Sequence, residues 1–262
     1  MSNSADREVE EALDAVAHLV RDEAITLHYS DADRHDDERD YFRMHRPRFR
    51  ETLCRMRRSL PPGARVLDVG SHFLHLALCL RHLGYTVEAV DQPRYAAHPR
   101  IAARGRPGLT LHAVESLASL PLGEGAVDGI TFLEVLEHLA VNPRPMWGEL
   151  ARVLRAGGTV FVTTPNFYRL GGGGGGFLQA LRFVRGEGAG VPVGHLLAEQ
   201  TGGHHWKEYS LKELREYFAL LGWRIRAVER FNYLPTQRRW LRVVKPWVRA
   251  IWDCHYLEVE RE

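Results

Sequence analysis

The chain has 262 residues, enough for one large domain or one domain with insertions at about 150 residues per domain. Its 45% apolar and 26% charged residues exclude a wholly disordered, collagen-like or coiled-coil protein. A net charge of only +2 calls for no nucleic-acid or membrane partner, although residues 1–40 are acidic and residues 41–58 and 223–250 are rich in arginine. Cys54, Cys79 and Cys254 are too far apart for a zinc ribbon or a redox pair. The acidic N-terminus does not read as a signal peptide, and no apolar run of about 18 residues suggests a transmembrane segment. The expected location is the cytoplasm.

Residues 1–40 read as one or two helices followed by a loose acidic stretch from Asp31 to Asp40. Phe49, Leu53, Met56 and Leu60 recur at near-helical spacing until Pro61-Pro62-Gly63. A regular alternation follows. Arg65 to Gly70 is an apolar run ending in Asp-x-Gly, and residues 73–83 have helical periodicity before Gly84. Strands are expected at Tyr85–Asp91, Leu109–Glu115, Val127–Glu134 and Thr159–Thr164. A helix opens at Asn142-Pro143 and ends at Gly157-Gly158.

The six glycines 171–176 read as a mobile linker or lid, within an insertion over about 170–204. Ser210 and Glu213 form a capping box. Trp223–Phe231 and Cys254–Glu260 read as the last strands, with a helix over 236–252 between them that Pro246 should kink. The alternation predicts parallel βαβ units, whose ligands bind at the carboxyl ends of the strands. Four of those ends carry acids: Asp68, Asp91, Glu115 and Glu134.

Val66-Leu-Asp-Val-Gly-Ser-His-Phe73 lacks two of the three glycines of a dinucleotide fingerprint, which argues against pyrophosphate. An acid two residues before a single glycine suits an ammonium. Asp91, 23 residues beyond Asp68, suits ribose hydroxyls. An amino-acid end and a ribose without phosphates describe S-adenosyl-L-methionine.

Val127-Asp-Gly-Ile-Thr-Phe-Leu-Glu-Val-Leu-Glu-His-Leu139, Glu149 through Asn166 (with Arg155-Ala-Gly-Gly and Thr163-Thr-Pro-Asn), and His205-Trp-Lys-Glu-Tyr-Ser-Leu-Lys-Glu-Leu214 carry a resemblance. It covers about residues 45–166 and 200–231. The chain resembles class I S-adenosylmethionine-dependent methyltransferases, in the branch of ubiquinone-type O-methyltransferases. The resemblance implies an α/β fold: a Rossmann-like, seven-stranded, mostly parallel sheet with helices on both faces and an antiparallel last strand. It implies an N-terminal helical lid over residues 1–44 and a catalytic domain over 45–262.

By the same resemblance, Asp68, Gly70, Ser71 and His72 meet the methionine end of the cofactor, Asp91 the ribose, and Gln92, Glu115 and Ser116 the adenine. Leu133 and Glu134 lie under the sulfonium. His72 and Leu74 stand where the family has its second and third glycines, and this departure keeps a non-catalytic scaffold protein as an alternative.

The expected reaction is O-methylation of a small-molecule acceptor, with His138 or His205 as base and Tyr41 or His45 near the ligand. Glu134, Glu137 and His138 with His204 or His205 form an alternative set for a divalent metal, as in some relatives, including RNA 2′-O-methyltransferases. A metal is the less favoured reading, and near-neutral charge with no Asn/Asp-Pro-Pro-Tyr segment after strand four argues against a nucleic-acid acceptor. The sequence leaves the acceptor and the oligomeric state open.

Overall fold

The computed structural model describes residues 4–28, 35–169, 205–234, 243, 247–249 and 252–262. The apolar runs and turn residues build α1 (Ser4–Glu23), β1 (Thr26–His28), β2 (His35–Asp37), α2 (Glu38–Ser59), β3 (Arg65–Val69), α3 (His75–His82) and β4 (Thr86–Asp91). Two single turns, α4 (Pro93–Ala96) and α5 (Pro99–Ala102), lead to β5 (Leu109–Ala113) and β6 (Val127–Leu133). After a 3-10 turn over Leu136–His138 come α6 (Arg144–Val153), β7 (Leu154–Pro165), α7 (Leu211–Leu220), β8 (Trp223–Phe231) and β9 (Cys254–Arg261).

Seven strands form one sheet in the order β5-β4-β3-β6-β7-β9-β8. The pairs from β5 to β7 are parallel, and β9 runs antiparallel to both β7 and β8. This is the expected Rossmann-like sheet with its antiparallel last strand. Alternation along the strands feeds two cores. Val66, Ala89, Phe161 and Tyr256 pack against α1, α2 and α3. Leu67, Phe132, Val162 and Leu257 pack against α6 and α7 around the fully buried Trp147. Trp147 Nε1 donates to Tyr217 Oη at 2.8 Å, so its one polar atom is satisfied inside that core. Among the described residues no helix is long and apolar enough to cross a membrane.

Three expectations need correction. The acidic stretch is not loose up to Asp40: β2 pairs with β1, and Asp37 caps α2 by accepting from Arg39 N and Asp40 N. β7 begins at Leu154 rather than Thr159, because Leu154 pairs with Val127 before the register shifts to Gly129–Thr159. α2 also runs unbroken through residues 44 and 45, where the lid was expected to end. The insertion over 170–204, its glycine run and most of the expected helix at 236–252 lie outside the described residues.

A buried ionic cluster fastens the start of α2 to the end of α1, to α3 and to the turn after α5. Glu38, fully buried, accepts from Ile25 N at 2.8 Å, from His75 Nε2 at 2.8 Å and from both terminal nitrogens of Arg104. Arg104 also donates to Phe73 O and Glu23 O, so one guanidinium ties together the end of α1, the start of α2 and the loop before α3. Burial alone would raise the Glu38 carboxyl, but the His75 and Arg104 contacts outweigh it and lower it to about 2.

Removing Glu38 leaves Arg104 buried without its counter-charge. Glu38→Ala should therefore lose about 3–5 kcal/mol at pH 7 in urea titration. A folded-state value below the unfolded one gives stability that is complete above about pH 4.5 and is lost as pH falls toward about 2. The wild-type protein should show that loss, and Glu38→Ala a shallower one.

Candidate active site

The carboxyl edge of β3, β4 and β6 gathers the acids expected there. Asp68 is buried, and its Oδ1 accepts from Thr131 Oγ1 at 2.7 Å. Its Oδ2 is buried with no partner. Burial raises this carboxyl to about 7, with the nearby Asp91 adding to the rise. An unpartnered buried carboxylate oxygen is a site for a cation. Gly70 has φ +72°, and a Cβ there would lie 2.7 Å from Val135 Cγ2, so only glycine allows this approach of the backbone. Ser71 is buried, with its Oγ also unpartnered.

His72 and Leu74 replace glycines in the expected pattern, yet the backbone keeps a glycine-like path. Both have positive φ, 45° and 68°, a conformation that costs non-glycine residues about 1–3 kcal/mol. Asp91 supports the loop: its Oδ2 accepts from His72 N and its Oδ1 from Gln92 N, each at 2.7 Å. Each oxygen of an ionised carboxylate keeps a further acceptor position, so Asp91 can still receive ribose hydroxyls. Gln92, Glu115 and Ser116 are exposed at the adjoining ends of β4 and β5.

α2 covers this edge. Tyr41 packs on His45, His72, Phe73 and His75 with ring centroids 4.4–5.8 Å apart. Tyr41, Arg48 and Phe49 roof a cavity of about 30 Å³ floored by Asp68, Gly70 and Leu133, about the room of one water molecule. Burial lowers His45 to about 2 and His72 to about 3, so both rings are neutral. Glu134 holds a left-handed φ of 53° and turns toward α2. It accepts from Tyr233 Oη at 3.2 Å, lies 3.4 Å from the buried Arg48 guanidinium and accepts from Cys254 Sγ.

A second group lies where β6 leads into the 3-10 turn. Ligand atoms of Glu137, His138 and His205 lie within 4.8 Å of one another. Glu137 is buried; its Oε2 accepts from Thr164 Oγ1 at 3.1 Å and its Oε1 has no partner. Burial, then repulsion from Glu134, holds its carboxyl well above the usual range. The Glu137 carbonyl accepts from Trp206 N at 2.7 Å, which brings His205 against His138. The structure thus assembles three members of the expected four-residue set. Glu134 points to the other face of the sheet, while His204 lies outside the described residues.

The sequence reading missed Glu208 and Arg169. His205 Nδ1 lies 2.9 Å from Glu208 Oε1, and Arg169 donates to both Glu208 oxygens. Burial would raise Glu208, but His205 and Arg169 overcome it and keep the carboxyl low. An ionised Glu208 requires Nδ1 to carry a proton, so Nε2 is the ring nitrogen left to exchange a proton or meet a metal ion. The i, i+3 spacing of His205 and Glu208 was a readable signal. Arg169 was not, because it lies across the insertion from Glu208.

Comparison with known proteins followed from this geometry. Residues 67–162 match the family model described as a methyltransferase domain. The ubiquinone biosynthesis O-methyltransferase of Xanthomonas campestris pv. campestris (strain B100) is 34% identical over 107 residues, 40% of this chain and 44% of its own length. That of Caulobacter sp. (strain K31) is 30% identical over 162 residues, 60% of this chain and 58% of its own. The chain thus spans about half the length of these curated relatives.

Among solved structures, an S-adenosylmethionine-dependent methyltransferase from Mesorhizobium loti superposes with a TM-score of 0.56 at 18% identity, over 83% of this chain and 98% of that one. A chain from the complex of the Haloferax volcanii Trm112 methyltransferase activator with a methyltransferase gives 0.57 at 17% identity, over 99% of both. At these identities the superpositions establish the fold.

Asp68 supplies a test of the cation site. Its folded-state value lies above the unfolded 3.8, so the ligand-free protein loses stability as pH rises from about 4 to about 7. Asp68→Asn keeps the acceptor for Thr131 and removes the buried charge. Thermal melts at pH 8 should show the ligand-free variant more stable by about 1–3 kcal/mol. The same variant should bind S-adenosylmethionine at least about tenfold more weakly, because the ammonium loses its counter-charge.

Proposed function

We propose that this chain, which carries an S-adenosylmethionine-dependent methyltransferase domain, methylates a hydroxyl oxygen of a small molecule. The observation that carries this reading is the contact of His205 Nδ1 with Glu208 Oε1 at 2.9 Å, which orients the imidazole beside His138 on the carboxyl edge that also holds Asp68 and Asp91. The O-methyltransferase names of the curated relatives support the choice of oxygen. The three free cysteines support the cytoplasmic placement.

When bound, S-adenosylmethionine supplies an electrophilic methyl group on a sulfonium. The residues fit it. Asp68 Oδ2 would hold the ammonium, the close approach at Gly70 would admit the carboxylate end beside Ser71 and His72, and Asp91 would accept from the ribose hydroxyls. Leu133 and Glu134 line the sulfonium side. The roofed cavity is far smaller than the roughly 300 Å³ of a typical small-molecule pocket, so Tyr41 and Arg48 swing away on binding and α2 serves as the lid.

Alignment of the acceptor hydroxyl supplies most of the rate. His205 Nε2 takes the hydroxyl proton, and Glu208 stabilises the imidazolium that forms.

The unpartnered Glu137 Oε1 favours a second reading of the same trio. One carboxylate and two imidazoles fit a divalent cation of the manganese or zinc type, which would lower the hydroxyl pKa. His205 would then ligate through Nε2, oriented by the same Glu208 contact.

Asp91→Ala should weaken S-adenosylmethionine binding by about 2–3 kcal/mol in calorimetry; unchanged binding would place the cofactor elsewhere. His205→Ala should cut kcat by about 10²–10⁴ with cofactor affinity nearly unchanged. Glu208→Gln should lower kcat less and shift the acid limb of the pH–rate profile. A chelator should leave the wild-type rate intact if His205 is the base. Loss of activity to the chelator, restored by manganese or zinc, would establish the metal reading instead. Full activity in the His138→Ala/His205→Ala double variant would refute both.

A further inference from the structure

A cavity of about 540 Å³ opens at the free edge of the sheet, where β8, the start of α7 and the segment before β9 meet. Arg55, Arg215, Arg230, Arg249 and Trp252 line it, with Glu229 as its one lining carboxylate. Glu229 is engaged by Arg55 at 2.8 Å. Among the described residues, Arg215, Arg230 and Arg249 form no salt bridge. Arg230 is half-buried and Arg215 and Arg249 stand exposed at the rim, so an anion entering the cavity meets three guanidiniums that no carboxylate of the described residues occupies.

The central arginine is oriented. Arg230 Nε donates to His255 Nδ1 at 3.3 Å. Burial and then Arg230 itself lower His255 to about 4, so its ring is a neutral acceptor that leaves the full charge on Arg230. Burial and the neighbouring Arg215 depress the Arg230 guanidinium, a cost that a bound anion removes. Arg249 stacks over Trp252, which gives the cavity an aromatic wall. In sequence, the stretch between Arg230 and Asp253 adds Arg238, Arg239, Arg242 and Lys245 and contains no acid.

The cavity is placed relative to the candidate active site by sheet register. Thr164, whose hydroxyl donates to Glu137, pairs with His255, and His255 pairs with Arg230. Paired residues share a face, so Arg230 lies on the same face as the Glu137 group. Two strand spacings put it roughly 10 Å from Thr164, about the length of a small molecule.

We propose that this cavity binds a phosphate ester. Arginine forks match phosphate oxygens two at a time, whereas a single carboxylate would satisfy one of the three guanidiniums. Combined with the proposed function, on which this clause alone rests, the phosphate belongs to the methyl acceptor and sets its hydroxyl at His205.

The test is calorimetric titration of the full chain with inorganic pyrophosphate at low salt, without cofactor, so its result does not depend on methyl transfer. Saturable one-to-one binding is expected, weakened at least tenfold in Arg215→Gln/Arg230→Gln and unchanged in Arg43→Gln, whose side chain is remote and exposed. Thermal melts confirm that the variants are folded. Absence of binding, or equal binding by the double variant, overturns the proposal. A parallel sedimentation with phosphatidylglycerol vesicles separates the sources. Pyrophosphate-sensitive sedimentation that the double variant loses assigns the phosphate to a lipid headgroup. Pyrophosphate binding without sedimentation assigns it to a free ester.

Discussion

Four carboxylates, Asp68, Asp91, Glu134 and Glu137, are gathered at one edge of one sheet with little access to water, and the structure around them is arranged to tolerate that charge. Each is treated differently. Asp91 is met by the backbone N–H of His72, in the loop it supports, and by that of Gln92. Glu134 is met by Arg48 and Tyr233. Asp68 and Glu137 each keep one buried oxygen with no partner, and burial raises both. These two oxygens are the places at this edge where the protein leaves a buried carboxyl without a partner of its own.

The period-2 alternation of the strands separates these tasks. Asp68 and Glu134 project toward α2, in the same layer as Tyr41 and Arg48. Glu137, Thr164, His255 and Arg230 occupy the opposite face, beside the segment that leads into α7. Two separate polar groups are thereby built from the same strands, one on each face of the sheet. The trio Glu137, His138 and His205 sits where the chain leaves β6, and the backbone bond from Trp206 to Glu137 brings the remote histidine to it.

Stability and access meet in α2. Its first residue is locked by Arg104 and His75, while Tyr41, Arg48 and Phe49 close the cofactor cavity. The anchor is fully buried and fixes the N-terminal end of the helix. The roof rests on aromatic packing and on the 3.4 Å contact of Arg48 with Glu134. Pro47 lies in the helix between the buried anchor at Glu38 and the contact made by Arg48.

Much of this was readable from local chemistry. The strand and helix alternation, the capping box at Ser210 and Glu213, and the acids at strand ends depend on residues close in sequence, and the structure has all of them. The path of residues 70–74 was not readable: His72 and Leu74 read as a departure from the glycine pattern, yet both keep a positive φ like that of Gly70.

The sequence by itself thus determined the alternation of strands and helices and which strand ends carry the acids, because periodicity and turn residues act over a few positions, while the antiparallel last strand followed only from the family resemblance. Tertiary structure decided that Glu134 leaves the metal-like set for Arg48, that Arg169 and Glu208 orient His205, and that Arg230 meets Arg215 at a free edge. It also decided that Glu38 finds Arg104, 66 residues away. Each of these depends on which face of a strand a side chain takes and on which charges burial forces together. Neither is written in any short stretch of the chain.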